Sequence, residues 1–118
     1  MVYRQFLAGV LKIDARIRYV GVFADAVLYD IKREGLKPLL DNKETEKSLQ
    51  DAVKRFRQRK LLAPKIGNVI YAFAKYEKIN RIAIPFGKDG LILVSTEHDV
   101  NPSEIADKIV EKKREYNF

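Results

Sequence analysis

The chain has no cysteine, and that one absence removes disulfides, thiolate nucleophiles, cysteine-ligated zinc and iron–sulfur clusters together. Histidine is almost as scarce. His98 is the single one, which leaves no histidine-rich metal site and no complete Ser-His-Asp set beyond accidental neighbours; following Thr96 and Glu97, it reads as a solvent-facing loop residue. No apolar run reaches the ~18 residues that cross a bilayer. The opening Met-Val-Tyr-Arg-Gln-Phe lacks the basic start and long apolar middle of a signal peptide, so a cytoplasmic setting is expected. The glycines carry no phosphate loop: Gly87-Lys88-Asp89-Gly90 lacks the Gly-Lys-Ser/Thr ending and the helix that would follow it, and reads as a turn. Asp30, Glu34 and Asp41 are not spaced to pair carboxylates for acid–base work. No catalytic residue, cofactor or metal is expected, and the chain reads as a non-enzyme.

What is present is a globular composition. Hydrophobic residues make up 47% and charged residues 33% of the 118 positions, which suits one domain over 1–118 that buries roughly 65% of its unfolded surface. The net charge of +7 and pI of about 9.6 permit attraction to phosphate-rich polymers or anionic surfaces. Charge alone is weak evidence, because Lys/Glu-rich, cysteine-free surfaces also occur as solvated charge networks.

Along the chain, Phe6, Leu7, Val10, Leu11 and Ile13 recur at helical spacing over 2–13. The period then changes to two. Ile17, Tyr19, Gly21 and Phe23 alternate with Arg18, Val20, Val22 and Ala24, and a second strand over 27–33 puts Val27, Tyr29 and Ile31 on one face. The Asp25-Ala26 link predicts a hairpin in which either Ala26 carries strain or the loop is longer, because a two-residue turn normally wants glycine there. Leu36, Leu39 and Leu40 are expected to pack down in the connection. A helix over 41–62 follows, capped by Asp41 or Asn42, with Glu44 placed for a capping box if Asp41 is the cap; Leu49, Ala52, Val53 and Phe56 form its apolar stripe, and Pro64 and Gly67 end it. Three strands over 68–76, 81–86 and 91–96 follow on short links, so they form an antiparallel meander with Pro85 near a strand end. Asn101, Pro102 and Glu104 start a last helix whose inner face carries Ile105, Ile109 and Tyr116.

The resulting order, α-β-β-α-β-β-β-α, predicts an α+β fold. A hairpin and a meander can join as one five-stranded antiparallel sheet with helices on its faces; the order 2-1-5-4-3 is the one expected of the fold that this arrangement resembles. This element order resembles the Roadblock (dynein light chain) fold within the profilin-like and longin-like group, and the resemblance spans essentially the whole chain. It rests on Ile17-Arg18-Tyr19-Val20-Gly21-Val22 running into the Asp25-Ala26 turn, the 41–62 helix, Gly67 and the closing meander. With Gly35-Leu36 and Tyr76-Glu77-Lys78-Ile79-Asn80-Arg81-Ile82, the pattern is also similar to small archaeal proteins of Roadblock type. One departure is Ala26, where the family usually has glycine.

The resemblance implies a homodimer formed by the third strand and the long second helix, serving a small GTPase or another regulatory protein. Carried onto this chain, the dimer contacts would come from Val69, Ile70, Tyr71, Ala72, Phe73, Ala74 and Tyr76, and from the helix bearing Phe56. The densest positive run, Lys54, Arg55, Arg57, Arg59 and Lys60, is a candidate surface for an acidic protein partner. It also suits the negative end of the helix dipole as a solvated face. Nucleic-acid binding through the same run is an alternative, weakened because Phe56 is its only aromatic and continues the core stripe. A small-molecule sensor of PAS or GAF type is a further alternative, for which a buried cavity between sheet and helix would be the first evidence.

Overall fold

The structure is a computed structural model and describes residues 2–118. Its elements are α1 (Val2–Leu11), β1 (Ile17–Ala24), β2 (Val27–Lys32), α2 (Asn42–Lys60), a single helical turn α3 (Ala63–Ile66), β3 (Ala72–Lys75), β4 (Ile79–Phe86), β5 (Gly90–Glu97) and α4 (Pro102–Glu115). The strands pair antiparallel in one five-stranded sheet of order β2-β1-β5-β4-β3, as the hairpin-plus-meander reading expects.

Local chemistry sets most of these boundaries. Asp25 and Ala26 both have left-handed backbones, with φ of 53° and 64°, the combination that a two-residue hairpin turn requires. Ala26 therefore pays the left-handed penalty of about 1–2 kcal/mol that glycine would avoid. At the start of α2 the Glu44 N–H donates to Asp41 Oδ1 at 2.8 Å and the Asp41 N–H donates to Glu44 Oε1 at 3.0 Å, a complete capping box. Asn101 caps α4 by accepting from the Ser103 N–H at 3.1 Å, with Pro102 at the first helical position.

Four expectations need correction. The second helix ends at Lys60, and Pro64 falls in the first turn of α3 instead of in a plain linker; proline is excluded from a helix interior but tolerated at its start, so the chain breaks and restarts. The third strand is four residues long, not the whole of 68–76. Its ladder on β4 runs from Lys75↔Asn80 to Ala72↔Ala83, and extending it would bring it to Pro85, which has no N–H to donate; Tyr71 instead packs against the main core. In β1 the register to β5 shifts between Ile17 and Tyr19, a bulge that places buried Ile17 in the same core as Val20 and Val22, not with Tyr19. Finally, Leu36, Leu39 and Leu40 are 38%, 51% and 38% exposed, so they do not pack down.

The main core lies between one sheet face and the α1/α4 pair. Val20, Val22, Ile82, Ile84, Ile92 and Val94 meet Phe6, Leu7 and Val10 of α1 and Ile105, Ala106 and Ile109 of α4. An aromatic cluster of Tyr3, Phe6, Tyr29, Phe86, Tyr116 and Phe118 closes one end, with ring centroids 5.1 to 5.6 Å apart and mostly edge-on, the arrangement ring quadrupoles favour. At the other end buried Asn80 directs Nδ2 toward Thr96 Oγ1 at 3.3 Å, Glu97 O at 3.2 Å and Val100 O at 3.1 Å. Three acceptors around one nitrogen assign the amide orientation and tie the β4–β5 ladder to the approach to α4.

Candidate functional site

The opposite sheet face is built from different residues. Cross-strand partners share a face, so one row across it reads Lys32, Tyr19, Ser95, Arg81 and Ala74, and the next Asp30, Gly21, Leu93, Ala83 and Ala72. Gly21, Ala83, Ala72 and Ala74 leave this floor shallow. At Gly21 an added Cβ would lie 2.6 Å from Tyr19 Oη and 3.1 Å from Leu28 Cδ1. Having none lets the Tyr19 ring fold across, and its hydroxyl donates to Asp30 Oδ2 at 3.0 Å. Burial, then the Asp30 carboxylate, pushes the Tyr19 hydroxyl well above its ordinary 10.0, so it stays a protonated donor.

Helix α2 roofs this floor along a narrow line. Ala52 and Phe56 are buried against Leu91, with Val53, Val69, Ala72, Ala83 and Leu93 packed around them. Its C-terminal end is tied down by Lys60, whose Nζ donates to the Lys88 carbonyl and pairs with Asp89 Oδ1 at 3.1 Å; that ammonium holds the Asp89 carboxyl below its ordinary value of 3.8. Between roof and floor lies a half-open cleft of about 230 Å³, walled on one side by Leu36, Leu39 and Leu40.

The basic run does not form one stripe. Arg55 and Arg59, one turn apart, line the cleft, and the Arg59 guanidinium sits 4.9 Å from the centroid of the Phe56 ring. Lys54 and Arg57 border a second depression beside Phe23, Leu28 and Asp30. Lys60 is held at the β4–β5 turn.

The residues expected at a dimer seam are likewise divided. Phe56 is 6% exposed and packs within its own chain, Val69 joins its cluster, and Tyr71 joins the main core. Ala72 and Ala74 line the cleft. Ile70, Phe73 and Tyr76 remain 66%, 46% and 53% exposed along β3 and its flanks, and the Phe73 ring stacks on that of Tyr71 at 6.5 Å. Sequence reasoning missed Tyr19, Arg81 and Ser95 as site residues. Their signal was the alternation in β4, where Arg81, Ala83 and Pro85 interleave with buried Asn80, Ile82, Ile84 and Phe86: a phase of small or charged residues opposite a phase of large buried ones. Among the described residues, no group of three or more His, Asp and Glu side chains could hold a metal ion. No helix among them is long and apolar enough to cross a membrane.

No protein-family model and no curated protein matches the chain. Solved structures do. A Roadblock/LC7 domain from Streptomyces avermitilis superposes with a TM-score of 0.67 over 96% of this chain and 95% of that one, at 10% identity. The gliding protein MglB from Thermus thermophilus gives a TM-score of 0.68 over 98% and 87% at 13% identity, and Myxococcus xanthus MglB gives 0.65 over 96% and 94%, also at 13% identity. At such identities the likeness is one of fold, and together with the strand order and element order it gives this chain a Roadblock-like fold.

Proposed function

We propose that this chain is a non-enzymatic interaction module that dimerises through β3 and the α2 side of the sheet and presents its basic surface to a regulatory protein. The observation that carries the reading is the contrast between the two sheet edges. The β2 edge carries Asp30 and Lys32, the kind of charges that discourage strand addition. The β3 edge has only Lys75 and is flanked by exposed apolar residues: Ile66 at 78%, Ile70 at 66%, Phe73 at 46% and Tyr76 at 53%. An isologous pairing of β3 with its copy would cover this edge and its apolar flanks in one step. The oligomeric state tests this directly. Sedimentation velocity at tens of micromolar should find a dimer, and Phe73→Glu should give a folded monomer; a wild-type chain that remains monomeric sinks the proposal.

A small GTPase is the partner class implied by the Roadblock resemblance. The cations of α2 offer such a partner two separate basic walls, Arg55 with Arg59 and Lys54 with Arg57. The same division weakens the nucleic-acid alternative, since tracking a phosphate backbone calls for a continuous positive groove.

A further inference from the structure

The cleft between α2 and the sheet has a charge imbalance that packing does not explain. Seven lysine and arginine side chains line it and no aspartate or glutamate does. Two of the seven are satisfied: Arg18 pairs with Glu97 at 2.8 Å, and Arg33 donates to the carbonyls of Ile17, Leu11 and Asp14 at 2.7, 2.6 and 3.0 Å. The side chains of the other five, Lys32, Lys37, Arg55, Arg59 and Arg81, have no ion-pair or hydrogen-bond partner among the described residues. Arg81 is the informative one. It rises from β4, one strand in from the β3 edge, half-buried, in the row that also carries the Tyr19 and Ser95 side chains. A cation withdrawn from water without a counter-charge is unfavourable unless something supplies one.

Apolar surface adjoins this positive ground. Leu93, Ala83 and Ala72 form the neighbouring floor, and Leu36, Leu39 and Leu40 stand exposed at the rim. The volume, about 230 Å³, falls below the ~300–1,000 Å³ of sites for drug-sized ligands. It suits a compact molecule.

We propose that this cleft binds a compact amphipathic organic anion: a single carboxylate-type head group held by Arg81 with Arg55 and Arg59, and a short apolar body lying on Leu93, Ala83 and the connecting-segment leucines. Arg81 supplies planar, charge-assisted donors from the floor, and the two α2 arginines supply charge from the roof. The small side chains of Ala72, Ala74 and Ala83 keep the space open. The cleft shares Phe73 and Tyr76 with the apolar flank of β3, but its anion site is argued from the unmatched arginines and does not rest on dimerisation.

The test uses the full chain and octanoate as probe, read by isothermal titration and by displacement of the fluorescent apolar anion anilinonaphthalene sulfonate. Octanoate should bind at least about tenfold more tightly than octanol, the effect of roughly one charge-assisted contact, and inorganic phosphate should not compete at equal concentration. Arg81→Met should weaken octanoate about tenfold or more and leave octanol unchanged, while Lys43→Ala, outside the cleft, should change neither. Ala83→Leu, which fills the space without removing charge, should abolish binding of both in a chain that melts like the wild type. Equal binding of octanol and octanoate, competition by phosphate, or octanoate binding that survives Ala83→Leu would each overturn the assignment.

Discussion

The two faces of one sheet are finished differently. Under α1 and α4, large branched and aromatic side chains interlock until Phe6, Val10, Val20, Ile84, Ile92 and Ile109 reach zero exposure. Under α2, only Ala52, Phe56 and Leu91 are buried, and glycine, alanines and arginines make up much of the rest. The same strands produce both faces, because successive residues point to opposite sides. The difference lies in what the alternate positions carry: Ile82 and Ile84 on one side of β4, Arg81 and Ala83 on the other. A sealed face supplies stability, and a half-covered face with unmatched charge is a place for something to bind.

The largest effect should come from opening the sealed face. Phe6→Ala removes a fully buried ring that stands edge-on to Tyr116 and Phe118 at 5.5 and 5.2 Å, and is expected to cost about 3–5 kcal/mol in urea denaturation. The same truncation at Phe56 should cost clearly less, since the adjoining cleft allows relaxation around the lost ring. Equal losses would mean that α2 is packed as tightly as α1 and α4.

A matched pair of insertions sharpens the contrast. Ala106 of α4 is fully buried in the main core, so Ala106→Leu should destabilise by about 1–3 kcal/mol through overpacking. Ala83→Leu extends into the cleft and should change stability by no more than about 0.5 kcal/mol. A large cost at Ala83 would contradict the open space beneath α2.

The smallest effect concerns pH at the margin of the sealed side, between α1 and β1. Arg16 donates to Asp14 through its side chain at 3.0 Å and through its backbone N–H at 2.8 Å, and these bonds hold the Asp14 carboxyl down at about 2 from its ordinary 3.8. A carboxyl depressed in the fold stabilises fully above its unfolded value and loses that contribution as pH falls from 3.8 towards 2. Asp14→Asn should therefore remove part of the acid-side decline in thermal stability. Curves that remain parallel down to the acid limit would show that this carboxyl contributes nothing to it.

Much of this was legible in the residues. Capping by Asp41 and Asn101, the turn at Asp25-Ala26 and the terminal placement of Pro85 follow from local rules of spacing and backbone preference, whereas the strand order, which turns on the distant β1–β5 pairing, rests on the Roadblock resemblance. The bulge at Arg18 was not, because a one-residue register shift keeps the apolar composition of β1 and changes only which neighbours Ile17 meets. Nor was the short β3, whose length depends on where Pro85 falls across the ladder. The candidate site was harder still. Its arginines come from α2 and β4, its walls from the β2–α2 connection and β3, and no stretch of sequence holds them together.

The sequence by itself determined the elements, their order and the Roadblock-like sheet, since hydrophobic period, caps and turn residues act over a few positions at a time. Only the tertiary structure decided that α2 would rest on a floor of small residues, split the Lys54 to Lys60 run between two walls and a tie to Asp89, and leave Arg81 without a counter-charge. Those outcomes depend on which faces meet, and a face becomes a site only when a distant segment either covers it or leaves it open.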